Sequence, residues 1–285
     1  MEKRNLILAV LIMAAGQGLR AQDDDFGIWS EVNVEKKINR QLTIDGGVEL
    51  RTRDNVSEVD RWSGSIGADY KLTNWLKASI SYSLLYDNND KEKSTWGVTS
   101  KKGYPKLKYT HATYWGIRHR FNLSLTASKS FGNLSLSLRE RWQYTYRPEK
   151  TVSRWFERWE YRIVEEDEVI NEYATYVYDN DGTLLREEEY LPGCEDHTYN
   201  GKGKNVWRNR LQAKYKVNRM WRPYVAAETF VAGGGFDKLR MGAGTEIRLT
   251  KKHWLDVKYL FQKAYDDDDD EGNRHVIGIG YTYKF

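Results

Sequence analysis

The feature that most constrains this chain is a side-chain period of two, held over runs of about ten residues and repeated almost to the C-terminus. In "QLTIDGGVELRTR" Leu42, Ile44, Val48 and Leu50 share one face, while Asp45, Glu49, Arg51 and Arg53 share the other. "LKASISYSLLY" sets Leu76, Ala78, Ile80, Tyr82 and Leu84 against Lys77, Ser79, Ser81 and Ser83. "LSLSLRERWQYTYR" sets Leu134, Leu136, Leu138, Trp142, Tyr144 and Tyr146 against Ser135, Ser137, Arg139, Arg141 and Gln143. Side chains alternate across a strand but not along a helix, so this texture predicts strands with two unlike faces. The closing "VIGIGYTYKF" follows the same rule, with Ile277, Ile279, Tyr281, Tyr283 and Phe285 over Val276, Gly278, Gly280, Thr282 and Lys284.

Strand length decides between a soluble sandwich and a membrane barrel. Ordinary strands peak at about 5–6 residues. The runs here reach about 10–13, the span a tilted strand needs to cross a bilayer. In lipid only a closed barrel satisfies every backbone N–H and C=O of such strands. Short turns are expected near Asn39-Arg40, Thr73-Asn74, Gly132-Asn133, Asn218-Arg219 and Thr250-Lys251. Between them lie longer charged connections at 54–60, 88–110, 148–206, 233–237 and 266–273. That asymmetry predicts short turns at the periplasmic end and long loops outside. The expected fold is therefore all-β: a transmembrane antiparallel up-and-down β-barrel of about 10–12 strands with long extracellular loops. Ten regular strands run from Gln41 to Phe285, and "FGIWSEVNVEKKI" (26–38) makes an irregular eleventh. Bacterial single-chain barrels are even-numbered, which leaves ten or twelve open.

Composition fits this reading once helices are set aside. Hydrophobic residues make up only 40% and charged residues 30%, yet aromatics reach 14%, with 20 Tyr and 11 Trp. Interfacial aromatic girdles leave such a mark. Forty-five basic against 41 acidic residues is a balance without the basic clustering of a nucleic-acid binder. At the start, Lys3 and Arg4 precede the apolar "NLILAVLIMAA", and "GLRAQ" offers Ala21 as the last residue removed. This predicts a signal peptide over 1–21 and a barrel over 22–285, with 148–206 as a long extracellular loop. The lone Cys194 has no partner for an internal disulfide.

The segments "FGIWSEVNVEKKIN", "ELRTRDNVSEVDRW", "RHRFNLSLTASKSFGNLSLSLRERWQYTYRP" and the "YTYKF" end resemble the domain-of-unknown-function 2490 family, outer-membrane barrels common in Bacteroidetes. The family has no established activity, so the resemblance carries over no functional residues. It implies the outer membrane of a Gram-negative bacterium as location. The expected partners are outer-membrane lipid and lipopolysaccharide, with the barrel-assembly machinery reading Tyr281, Tyr283 and Phe285 at the C-terminal strand.

Candidate functional residues come from the polar faces. If these point inward, the lumen collects Arg118, Arg120, Arg139, Arg141, Arg208 and Arg210, together with Arg51, Arg53, Lys214, Arg240, Arg248 and Lys258. Asp45, Glu49, Asp69, Glu228, Glu246 and Asp256 oppose them. Two outcomes stay open: an anion-favouring pore, or an interior filled by paired charges, as small barrels tend to be. No Ser/His signature of a barrel lipase surrounds His111, His119, His197, His253 or His275, so neither catalysis nor a cofactor is expected. "DDDDDE" (266–271) lacks the spacing of a calcium loop and reads as a solvated charge run. "DNDG" (179–182) reads as a hairpin turn inside 148–206. A partner-binding role for that segment is the alternative to a channel or a purely structural envelope component. Glu140 falls on the lipid face of its strand unless a bulge resets the alternation.

Overall fold

The structure, a computed structural model, describes residues 24–98, 105–162, 175–178, 184–265 and 273–285. The signal segment, the "DNDG" turn and the "DDDDDE" run lie outside these residues. The strands are β1 (Asp25–Lys37), β2 (Leu42–Arg53), β3 (Glu58–Lys71), β4 (Leu76–Val98), β5 (Pro105–Phe131), β6 (Leu134–Arg147) and β7 (Lys150–Arg162). They continue with β8 (Thr175–Tyr178), β9 (Leu184–Tyr199), β10 (Lys202–Tyr215), β11 (Trp221–Ala232), β12 (Gly235–Arg248), β13 (His253–Ala264) and β14 (Arg274–Lys284). The chain forms two compact units, one running through Leu84 with Arg120–Thr145 and Lys204–Phe285, the other Leu85–His119 with Tyr146–Gly203.

The first unit is the barrel. Its hydrogen-bonded order is β4-β3-β2-β1-β14-β13-β12-β11-β10-β6-β5, and pairing of β4 with β5 closes a ring of eleven strands. Going round a closed ring of alternating strands, an odd number forces one pair to run the same way. That pair is β1 and β14, parallel from Asp25↔Arg274 to Glu35↔Lys284. Segment 26–38 is thus a regular strand, and the count falls between the two even numbers. Its start lies at the end of the longer connections, and Phe285 lies at the end of the short turns. The Phe285 backbone joins β1 through its N–H to Glu35 O (3.0 Å) and its C=O from Lys37 N (3.2 Å).

The alternation holds on the barrel wall. Outward-facing Val48 and Ile66 are 61% and 60% exposed, with Ile80, Leu123, Leu211, Val225 and Ile279 in the same class. A belt of this kind is costly in water and stable in hydrocarbon. Aromatics rim it at the short-turn end with Tyr70, Trp75, Phe131, Tyr215 and Trp221, all exposed. Inward-facing Val276 is fully buried. Gly278 and Gly280 leave room beneath Lys258 and Glu31, since a Cβ would come within 2.5 Å of Lys258 Cε and 2.7 Å of Glu31 Oε1. Glu140 stays on the outer face, between Arg139 and Arg141 on the inner one. Its carboxylate accepts the Trp207 indole N–H at 2.9 Å across the β6–β10 seam.

Four short turns share one local code: an aliphatic residue, then Asn or Thr, two polar or bulky residues, and the next strand. Asn39 Oδ1 accepts the N–H groups of Gln41 (2.8 Å) and Leu42 (2.7 Å). Asn218 Oδ1 accepts those of Met220 (2.7 Å) and Trp221 (2.8 Å). Thr73 and Thr250 do the same through Oγ1 for Trp75 and Leu76 and for Lys252 and His253. The side chain substitutes for a missing ladder partner, which is why Asn and Thr stand there. The β11–β12 connection shortens to Gly233-Gly234, both left-handed (φ 59° and 83°), as a primed two-residue hairpin requires.

In the second unit the expected connections are largely strand. The 88–98 and 105–110 stretches prolong β4 and β5. Much of 148–206 is β7 and β9, paired from Lys150↔Tyr199 to Arg162↔Glu187. β8 pairs antiparallel with β9 from Thr175↔Glu188 to Tyr178↔Leu184, across the predicted hairpin. Long polar strands of this kind satisfy backbone groups that a structureless loop would leave to water.

The turn code makes a direct prediction. Asn218→Ala loses two backbone hydrogen bonds and should cost about 1–2 kcal/mol. Arg219→Ala beside it should stay within about 0.5 kcal/mol. Urea unfolding of the folded protein in detergent micelles, followed by tryptophan fluorescence, measures both.

Candidate functional site

The barrel interior concentrates the charged side chains. At its centre Glu228 of β11 accepts Arg139 Nη2 of β6 at 2.7 Å and Arg208 Nη2 of β10 at 3.0 Å. Arg208 also donates to Gln143 Oε1 at 2.8 Å, and Arg240 Nε donates to Gln262 Oε1 at 2.7 Å. Aromatic faces back these cations. Arg208 lies 4.5 Å from the Phe230 ring centre, Arg240 4.8 Å from Phe230 and 5.0 Å from Trp29, and Arg51 3.8 Å from Trp29. The layer is packed: Gln262 is 2% exposed, and Trp29, Gln143 and Glu228 are 7% exposed. Small barrels fill in this way, and here the filling is ionic and aromatic.

Towards the short turns a second layer pairs Lys258 with Glu31 (2.9 Å), Tyr224 OH with Asp256 (2.9 Å) and Lys214 with Glu246. Beyond it a cavity of about 610 Å³ opens at the turn end. Its mouth carries the pairs Lys77–Asp69 (2.7 Å) and Lys284–Glu35 (2.6 Å). Its wall reaches Arg139, Arg141 and Arg210.

Of the six basic residues expected on inner faces, Arg139, Arg141 and Arg210 line the turn-end cavity, and Arg208 meets Glu228 beside Arg139. Arg139, Arg141, Arg208 and Arg210 cluster on the adjacent strands β6 and β10. Arg120 donates to Thr145 Oγ1 at 3.3 Å in the barrel unit. Arg118 belongs to the second unit, where it meets Asp87 at 2.8 Å and Asn89 at 2.9 Å. Trp29, Tyr224 and Phe230 lie outside the set of residues that the polar faces predict. As inward aromatics they break the rule that inner faces are polar, and only their charged partners explain them. At the C-terminus Tyr283 packs 5.6 Å from Phe285 and 5.2 Å from His253, whose Nδ1 lies 2.6 Å from the Tyr281 hydroxyl.

No serine accompanies the histidines in the described contacts. His275 bridges Asp24 Oδ2 (3.0 Å) and the Tyr259 hydroxyl (2.6 Å), a chain that ends on a phenol and ties the start of β1 to β13. In the second unit His111 Nε2 lies 2.9 Å from Asp90 Oδ1 and 4.0 Å from Glu92 Oε1. These three groups have metal-ligand spacing, all within 4.8 Å, but the two carboxylates are exposed and a His–carboxylate pair accounts for the arrangement. Also there, Lys108 and Arg154 hydrogen-bond Glu195 and hold its carboxyl down at about 2, against an ordinary 4.5.

Residues 26–273 match the model of a protein family of unknown function, DUF2490. The chain belongs to that family. No curated protein matches it. Among solved structures, the NanC porin is 11% identical, with 92% of this chain and 98% of that one covered and a TM-score of 0.44. The translocator domain of the autotransporter NalP from Neisseria meningitidis gives 12% identity, 92% and 91% coverage and a TM-score of 0.44. The CymD monoaromatic hydrocarbon channel gives 8%, 85% and 82%, and 0.36. This DUF2490 barrel therefore has to be read from its own interior.

Two outcomes test that interior and the second unit. Glu228→Gln leaves Arg139 and Arg208 facing each other without a carboxylate and should cost about 3–5 kcal/mol in urea unfolding. For Glu195, a depressed folded value means that its stabilisation is fully present above about 4.5 and is lost as pH falls towards about 2. Protection factors of the β9 amides, taken against the intrinsic exchange rate at each pH, should therefore fall over that window in the wild type. Glu195→Gln should exchange faster at neutral pH and lose the acid response.

Proposed function

We propose that this DUF2490 protein is an integral outer-membrane barrel, closed to solutes at rest, that anchors a strand-built second unit. The location rests on the apolar outward belt with its aromatic rim, and on short turns at one end, which face the periplasm in outer-membrane barrels. A signal peptide over 1–21 supplies the export route, and Tyr281, Tyr283 and Phe285 offer the terminal strand to the assembly machinery. The observation that carries the closed state is the Glu228 layer. Its cations are held by carboxylate, amide and ring partners, so passage of a solute requires breaking several of these contacts together. A structural envelope component fits this interior better than an open passive channel.

A second reading has its own support. β7 and β9 form a continuous ladder of thirteen paired residues in a segment that a bare barrel does not need. A stiff sheet of that kind suits presentation of a binding surface to a partner.

Planar bilayers test the first reading. Purified wild-type protein should insert without steady conductance, whereas Glu228→Ala, which removes the central carboxylate, should give intermittent openings. Stable ohmic channels from the wild type would overturn the closed barrel. Capture of a surface partner that is lost on deleting 150–199, with the barrel still heat-modifiable on gels, would establish the second.

A further inference from the structure

Positive charge in the barrel interior is not balanced locally. The inner faces of β6 and β10 carry four guanidinium groups, Arg139, Arg141, Arg208 and Arg210, and Glu228 is the carboxylate that they meet. Glu228 is taken up by Arg139 and Arg208. Arg141 donates to the neutral Ser124 hydroxyl at 2.9 Å and feels Glu228 only at longer range, while Arg210, opposite Glu228 in the β10–β11 register, has no hydrogen-bond or ion-pair partner among the described residues. Both line the cavity of about 610 Å³ that opens at the short-turn end. Uncompensated charge in a part-buried site is costly unless a counter-charge enters.

We infer that Arg141 and Arg210 bind a small oxyanion, a carboxylate or phosphate group, entering from the short-turn end. Ser137 and Gln212 line the same wall and offer hydroxyl and amide donors. The planar guanidinium fork matches both oxyanion types. At the mouth, Asp69 and Glu35 are neutralised by Lys77 and Lys284, so they do not repel an incoming anion. Asp45 also lines the cavity, on β2, separated from β6 by three strands. A cavity of this volume lies in the range of small-molecule sites, about 300–1,000 Å³. The lining thus selects a small anionic solute rather than a polymer. The site needs the barrel but not a closed waist, so its failure and that of the closed-barrel reading are distinguishable.

Calorimetric titration of the detergent-folded full chain with inorganic phosphate, and separately with succinate, tests the site at constant ionic strength. The expected result is saturable binding of at least one probe, weakened about tenfold or more in Arg210→Gln and in Arg141→Gln. Phosphate alone binding would mark a phosphorylated solute, and succinate alone an organic acid. Because each variant removes a like charge, each should fold, as judged by heat-modifiable gel mobility. Should a variant fail to fold, Arg210→Lys, which keeps charge but loses the fork, should still weaken binding. No saturable binding of either probe by the wild type, or unchanged affinity in the folded variants, overturns the site.

Discussion

Backbone closure is the constraint on which the rest of this structure depends. A strand that crosses hydrocarbon has no water to satisfy its N–H and C=O groups, so each must find a neighbour on both sides. With eleven strands in the ring, the final neighbour of β1 is β14, and the two run parallel. The seam is reinforced at both ends. His275 bridges Asp24 and Tyr259 at one, and the Phe285 backbone bonds to β1 at the other. A terminal aromatic strand is thus the closing element of the barrel.

Closure also decides what the interior must do. Alternation sends every second side chain inward, and in this chain many of those side chains are charged or aromatic. A dry layer of charges is stable only when each is paired. Glu228, placed between two arginines and beside cation–ring contacts, serves that need at the centre. Where pairing gives out, at Arg141 and Arg210, a cavity begins. The packed layer and the unbalanced pocket are two results of one distribution of charge along β6, β10 and β11.

The outer face has a similar economy. Glu140 is the exception in its belt, and Trp207 on the adjacent strand meets it. An indole N–H given to a carboxylate lowers the cost of both in an apolar setting. In the second unit, β7 and β9 carry polar and charged residues on both faces.

Much of this was legible before any coordinates. Period two in "LKASISYSLLY" and "VIGIGYTYKF" assigned lipid and lumen faces, because a strand has only two sides and one of them must be apolar in a membrane. Asn39, Thr73, Asn218 and Thr250 marked the turns, because a capping side chain acts within three residues. The parallel seam, the partner of Glu140 and the strands within 148–206 were not legible, since each depends on which segments become neighbours. Arg139, Arg141, Arg208 and Arg210 show the division most clearly. Sequence by itself determined that Arg139 and Arg141 share one face of their strand and Arg208 and Arg210 one face of theirs, through local alternation. Only the tertiary structure decided that Arg139 and Arg208 share Glu228 while Arg141 and Arg210 do not, because pairing across strands is set by register and closure, which no single strand encodes.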